Sequence, residues 1–375
     1  MHNQCETTEK TRIGGELPLF CDRFGPQQPW QSHWLAFSHG RAALAWLLDN
    51  KPARSAVICA YTCPSVPAFL ARRGIAIERF DIAASPHDIA NLAKRMKKPR
   101  IIILPSLFGA PPWLDKDALQ TALDRDDMLI LDAAQTAFGH ADFSPPKAGA
   151  VLSCPRKTTA LADGAVLSID RELDLPDSLA LLPPATFPAA MKSAARALWA
   201  SGRMELEDQA PQYNLVSENN WPDTPHRMTE QSEVLLRGLD QDWHQASRRK
   251  NHDALIGRLK NHVWLWNVKK GTPFSLPIFV ANREAVIDRL RRSRIFTSAL
   301  WPDVECDARH HPVAIWFAKH LVSLPVDQRQ TEPDMERIST VLVEVTQHPE
   351  IPVPLAIRQC VSTPDTGLFG VAPRD

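Results

Sequence analysis

The feature that most constrains this chain is an alternation in its first half. Strand-like segments at residues 56–60, 75–81, 100–105, 128–132, 150–154 and 165–170, several of them almost unbroken apolar runs, are separated by helix patterns at 40–48, 65–73, 86–97 and 115–124. The runs lack the in–out polarity of strands that face water on one side, so they read as strands covered on both faces. Buried strands interleaved with helices predict an α/β fold with a mostly parallel sheet and helices on both faces. A proline- and leucine-rich segment at 171–187 reads as a crossing loop. Helices are expected at 189–201 and 229–259, the second broken or bent near Gly238. From about residue 272 the pattern restarts, with a strand at 274–280 and helices at 283–292, 313–320 and 333–346. At 375 residues the chain has room for two packed units. The expected division is a large domain with an N-terminal arm at 1–245 and a smaller α+β domain at 246–375.

Composition removes several classes of function. Forty-three basic residues balance 43 acidic ones with no polybasic block, which argues against bulk electrostatic binding to nucleic acid or an anionic membrane. No apolar stretch approaches the roughly 20 residues that span a bilayer, and residues 1–16 show no secretory signal. Seven irregularly spaced cysteines without a CxxC pair do not form a disulfide framework. A reduced, cytoplasmic protein is the expectation. No GxGxxG follows a strand, and neither GxxxxGK[ST] nor GxSxG occurs, so dinucleotide, P-loop and serine-hydrolase readings lack their first requirement. Cys306, His310 and His311 could pair as ligands on one turn, but no second cluster completes a four-ligand metal site. Two histidines of that kind read as polar loop residues or as the lining of a substrate entrance. Trp30, Trp34 and Trp301 could stack on a sugar or a base, although large aromatics are more often core.

Three segments can carry chemistry. In FSHGRAALAWLL (37–48) Ser38 can cap a helix whose first turn holds Gly40 and Arg41. Free N–H groups at such a start bind anions, the glycine allows close approach, and the arginine adds a charged fork. His39 is placed to touch a bound phosphate or simply to sit at the surface. In LILDAAQ (129–135) Asp132 ends an apolar strand at the carboxyl edge, where open α/β sheets bind ligands; the bland alternative is a helix cap. In VLSCPRKTTALADGAVLSI (151–169) Lys157 lies in a short loop between two apolar strands. A lysine held there loses its proton more easily than a surface lysine, which suits Schiff-base chemistry. Singly, each segment has a structural explanation. Together they supply what pyridoxal phosphate requires: a grip on phosphate, a carboxylate for the ring nitrogen and an amine for the aldehyde.

These segments resemble the DegT-type branch of the fold type I pyridoxal-phosphate-dependent aminotransferases, best known from amino-sugar biosynthesis. The resemblance rests on GRAALAWLL, CAYTCPSV (59–66), LFGAP (107–111), LILDAAQ, SCPRKTTALADGAVL, HRMTEQSEVLLRGLD (226–240), RRKN (248–251) and LPVDQR followed by PDM (324–335). They stand in the family's order over nearly the whole chain. The resemblance implies that Lys157 ties the cofactor's aldehyde, Asp132 pairs with the ring nitrogen and Gln135 hydrogen-bonds the ring hydroxyl. It also implies that Gly40 and Arg41 meet the phosphate with help from Ser153, and that Tyr61 stacks on the ring, with Cys63 as the other occupant of that place. Asn251 is expected to reach the cofactor of a second subunit in a homodimer with shared sites.

The implied reaction moves an amino group from a donor such as glutamate to a keto carbon, with a nucleotide-linked sugar as acceptor. Polysaccharide or secondary-metabolite biosynthesis is the implied context. Five departures bear on it: Cys154 in place of a serine, Ala165 in place of a second glycine, Arg41 where sugar enzymes carry threonine, Ser106 where they often carry histidine, and Gln330 in place of a tyrosine. None removes Lys157 or Asp132. A binding or regulatory protein on the same scaffold, or another reaction of the same cofactor, is the competing expectation.

Overall fold

The computed structural model describes residues 12–362 except 19–20, 113, 137, 174, 176–180, 267, 347–350, 352 and 356–360. Part of the expected crossing loop therefore lies outside the described residues. Two short strands, β1 (Ile13–Gly14) and β2 (Trp34–Phe37), lead into α1 (Gly40–Asn50), and the predicted alternation follows. Its members are β3 (Ser55–Cys59), α2 (Ser65–Arg72), β4 (Ala76–Phe80), α3 (Pro86–Lys94), β5 (Arg100–Pro105), α4 (Lys116–Ala122), β6 (Met128–Ala133), the one-turn α5 (Gly139–Asp142), β7 (Ala150–Ser153) and β8 (Ala165–Ile169). Each of the six strand-like segments is a strand.

Among the described residues these strands form a seven-stranded sheet in the order β2-β8-β7-β6-β5-β3-β4. From β4 to β7 all neighbours are parallel. β8 returns antiparallel to β7, and β2 runs antiparallel to β8. Only residues 154–164 separate β7 from β8, too few for the helical crossover that a parallel return requires. Strand alternation sorts side chains onto two faces. Ala56, Ile58, Ile103, Ile130 and Leu152 meet α1 and α2. Val57, Ile102, Leu104, Leu131 and Val151 face α3 and α4, in one core with Trp266, Phe279 and Phe317. α1 buries every residue from Ala42 to Leu48. Its run of alanines and leucines has no β-branched residue, glycine or proline to weaken it, and it ends just before Pro52. Each large apolar side chain it buries contributes about 1.5–3 kcal/mol.

Beyond β8 come α6 (Thr186–Ala200), α7 (Met204–Glu207), α8 (Ala210–Asn219), α9 (Glu230–Gly238) and α10 (Gln241–Leu259). The expected break near Gly238 is present, and Asp240 caps α10 by accepting from the Trp243 N–H. The C-terminal part is α+β: β9 (Trp264–Trp266), β10 (Leu276–Phe279), α11 (Arg283–Arg292), β11 (Ile295–Phe296), α12 (Pro312–His320), β12 (Leu321–Leu324), α13 (Glu332–Val345) and β13 (Val361–Ser362). Its sheet, β12-β10-β9-β13, is antiparallel. Leu255 and Leu259 of α10, Leu290 of α11 and Ile338 of α13 share a core with its strands. No helix among the described residues is long and apolar enough to cross a membrane.

Candidate active site

Parallel strands place their carboxyl ends along one edge, and there β6, β7 and the start of α1 converge. Asp132 is the penultimate residue of β6, beside Leu152 of β7 in the register. Parity puts its side chain on the face covered by α1. Its Oδ1 accepts from the Ala134 N–H at 3.1 Å. Burial pushes its carboxyl above the usual range, and the Lys157 ammonium opposes that shift. Lys157 closes a 3-10 turn, Pro155–Lys157, directly after β7. Burial disfavours its charged form, but the acidic groups facing it, Cys154, Cys63 and Asp132, outweigh that and hold its pKa above the ordinary value. The Cys154 thiol is itself pushed up by burial. The direction at Lys157 is opposite to the sequence expectation of an easily deprotonated lysine, because the acidic groups near it outweigh its burial.

The start of α1 lies against the same corner. His39, rather than Ser38, is the N-cap residue, and no side chain caps the first turn. The Ser38 hydroxyl is hydrogen-bonded to His39 Nδ1 at 2.9 Å. A Cβ on Gly40 would lie 3.1 Å from Cys154 Sγ and 3.8 Å from Leu152 Cδ2, so the glycine lets the helix start approach the end of β7. His39 stacks on Trp221 with ring centroids 5.0 Å apart. Burial, reinforced by Arg156 and Arg41, holds its imidazole neutral. Gln135 Oε1 accepts from the Phe108 N–H at 2.6 Å and braces the LFG turn, where Phe108 adopts φ 58°.

Several expected contacts are placed differently. Ser153 is fully buried, with Oγ 2.8 Å from His140 Nδ1. Parity turns it to the face opposite Gly40, where its neighbours Leu152 and Cys154 point, so it gives no help to a phosphate there. Tyr61 is fully buried, donates its hydroxyl to the Leu300 carbonyl at 2.6 Å, and packs on Trp301 and Phe317. It is core, and Cys63, two residues on, contacts Ser65 Oγ at 3.1 Å. The Arg41 guanidinium binds Asp223 Oδ1 at 2.9 Å and the Trp221 carbonyl, leaving its backbone N–H at the helix start. Asn251 Nδ2 donates to the Asp327 and Gln330 carbonyls at 2.9 and 3.2 Å within this chain. His310 and His311 make local contacts with Asp307 and the Arg79 carbonyl, and the described residues hold no metal-binding cluster. The cysteines described, at 21, 59, 63, 154 and 306, are free.

Sequence reasoning passed over the groups behind the lysine turn. Arg156 is buried, paired with Glu218 at 2.9 Å, and its guanidinium lies 5.1 Å from the centre of the Trp221 ring. Lys192 is 3.2 Å from Glu16 and 3.9 Å from Glu218, completing a buried charge network. Arg196, His244, Arg248 and Gln328 bond the backbone of the turn itself. The motifs RRKN and LPVDQR contain two of these, and their packing on the turn is what sequence spacing could not reveal.

No family model and no curated protein matches this chain. Solved structures do. A DegT/DnrJ/EryC1/StrS aminotransferase from Brucella abortus superposes with a TM-score of 0.55 at 17% identity, over 84% of this chain and 86% of that one. DesI, solved in the presence of its TDP-sugar product, gives a TM-score of 0.58 at 18% identity, over 84% and 81%. The PLP form of the Streptococcus pneumoniae protein Spr1654, described as a sugar aminotransferase, gives 0.58 at 13% identity, over 87% and 93%. With the strand order above, these likenesses establish that the chain has the α/β fold of the fold type I pyridoxal-phosphate-dependent aminotransferases.

Proposed function

We propose that this protein is a pyridoxal-phosphate-dependent aminotransferase that moves an amino group from a donor such as glutamate to the keto group of a nucleotide-linked sugar. The observation that carries the reading is the placement of Asp132 near the end of β6 and of Lys157 in the turn after the neighbouring β7, at the carboxyl edge of the sheet beside the uncapped start of α1. The residues fit the cofactor. Asp132 is a half-buried carboxyl at the strand end, and a protonated ring nitrogen would suit it as a partner. The free N–H groups and Gly40 suit a phosphate. Lys157 is the amine within reach of both. The acceptor class, the cytoplasmic setting, the homodimer and the division near residue 245 belong to the same reading; the likeness to DesI, solved in the presence of its TDP-sugar product, supports the acceptor.

When bound, the cofactor supplies an electron sink for a carbanion at the amino-bearing carbon. The protein's part follows from its own groups. Asp132 would hold the ring nitrogen protonated. The N–H groups at the start of α1 would hold the phosphate. Lys157 Nζ would be the base that takes the proton from the donor's α-carbon.

The reading is tested by titrating the purified chain with pyridoxal phosphate beside Lys157→Ala. The expected outcome is yellow absorbance that borohydride removes, leaving the cofactor's mass on the Lys157 peptide, with none in the variant. A folded wild type that gives no lysine-dependent absorbance overturns it. The second reading, a cofactor-binding protein that no longer transaminates, is favoured by the commitment of Ser153, Tyr61 and Asn251 to other partners. Transfer of nitrogen-15 from glutamate to a keto sugar excludes that reading; cofactor capture with no transfer from any amino donor establishes it.

A further inference from the structure

The turn that carries Lys157 is gripped from behind by buried side chains. Arg196 Nη2 donates to the carbonyls of Arg156 at 2.8 Å and Thr159 at 3.1 Å. Three donors converge on the Thr158 carbonyl: Arg248 Nη2 at 2.9 Å, His244 Nε2 at 3.0 Å and Gln328 Nε2 at 3.2 Å. The Thr158 N–H donates to the Pro155 carbonyl, and the Ala160 N–H to Asp22 Oδ2 at 2.7 Å. The peptide planes on both sides of Lys157 are thus fixed, in the turn that follows β7 beside the strand that carries Asp132.

Arg248 is the centre of this grip. It is among the largest fully buried side chains described. Its remaining donors go to Gln328 Oε1 and to the Pro273 and Phe274 carbonyls. It makes no ion pair among the described residues, and burial, only partly offset by Asp327 and Asp22, holds its pKa below the ordinary value. A buried cation satisfied mainly by carbonyls is costly. One guanidinium here joins α10, the 273–274 segment and Gln328 to the residue that follows the lysine.

We propose that Arg248, with Gln328 and His244, is a positioning clasp that aims Lys157 at Asp132, so that the C-terminal part of the chain sets the reactivity of the amine. This rests on the reading of Lys157 as the working amine. The charged and titratable groups that act on Lys157 are Cys154, Cys63, Asp132, Arg156 and Glu218. A turn released from the clasp lets the amine leave these acidic groups and shed its proton more readily.

The test is the rate at which acetic anhydride at pH 8 labels Lys157 in the full chain freed of carbonyl adducts by hydroxylamine. The rate is read by peptide mass spectrometry against exposed Lys147 and buried Lys192. Asp132→Asn gives the effect of losing the counter-charge. Arg248→Lys keeps the charge but cannot reach all four acceptors, and Gln328→Met removes one donor to Thr158 together with the acceptor for Arg248 Nε. Both are expected to raise Lys157 labelling relative to Lys147 by about five- to tenfold, the change in free amine for roughly one pKa unit, with Lys192 unchanged. If Arg248→Lys fails to fold, Gln328→Met decides. Lys157 labelling within twofold of wild type in folded Gln328→Met, or a rise that Lys192 shares, overturns the proposal. Because the labelling needs no cofactor, failure of the clasp is distinct from failure to bind pyridoxal phosphate, which the Lys157→Ala comparison reads.

Discussion

Gly40 separates two demands on the first turn of α1, helix formation and close approach to β7. A methyl group there would meet Cys154 Sγ at 3.1 Å, and the sulfur would have to shift by a few tenths of an ångström. Alanine gains up to about 1 kcal/mol in helix propensity over glycine, so Gly40→Ala is expected to fold at least as well as wild type. It is expected to bind pyridoxal phosphate about tenfold more weakly, the order expected for losing roughly one charge-assisted hydrogen bond. Cys154→Ala in the same chain should restore most of that loss, since the methyl then has room; a cofactor titration with a thermal melt of each variant checks both parts. At this scale the sequence was legible where a side chain's chemistry settles its place, as for Asp132 and Lys157. It was illegible where parity decides. Ser153 and Cys154 are equally polar neighbours, and only the strand register shows that Ser153 turns to His140. Tyr61 and Cys63 lie beyond the end of β3, where packing on Phe317 decides the place of Tyr61.

The elements were legible wherever burial writes a continuous apolar run, and all six strand-like segments are strands. β8 shows a missed but readable signal: eleven residues cannot hold a crossover helix, so its antiparallel return follows from spacing alone. The helices α7 and α8 carry no comparable apolar stripe; several of their apolar residues, Met204, Leu215 and Val216 among them, are exposed. Charge also ties elements together. Arg100, at the start of β5 and 2% exposed, donates to both Asp127 oxygens at 2.6 and 2.9 Å and to the Ala93 carbonyl at 2.8 Å. It thereby links β5, the turn before β6 and the end of α3. Arg100→Met leaves Asp127 buried with its cation gone, and is expected to cost about 3–5 kcal/mol. Replacing both, as Arg100→Met with Asp127→Leu, should cost less than Arg100→Met alone, because no charge is then stranded. Urea unfolding of the two variants measures the difference, and equal losses would mean that the pair acts only through packing.

For the whole molecule, the buried imidazoles set the response to acid. His140, held by Ser153 Oγ, and His244, held by the Thr158 carbonyl and set edge-on to Phe138 at 5.4 Å, are both driven by burial down to about 3. In the unfolded chain they titrate near 6.5. Between these values the unfolded state binds more protons, so the stability they confer is complete above pH 6.5 and falls as the pH drops toward 3. Each contributes a slope of about 1.4 kcal/mol per pH unit, so by pH 5 the two together remove roughly 4 kcal/mol, a large share of a typical 5–15 kcal/mol. Partly buried carboxyls act in the opposite sense. Asp22 and Asp132 are raised by burial, take up protons first in the folded state and offset part of the loss at lower pH. Glu218 adds to the loss below pH 4.5: burial would raise its pKa, but Arg156 overcomes this and brings it down to about 2. Urea unfolding at pH 7.5, 6.5, 5.5 and 5.0 is expected to give a level stability down to about 6.5 and a steep fall below it. His140→Gln should lower the slope, since one of the proton-binding sites is gone. Constant stability down to pH 5.5 would mean that both rings titrate normally in the fold, and that the packing around the lysine turn is open to water.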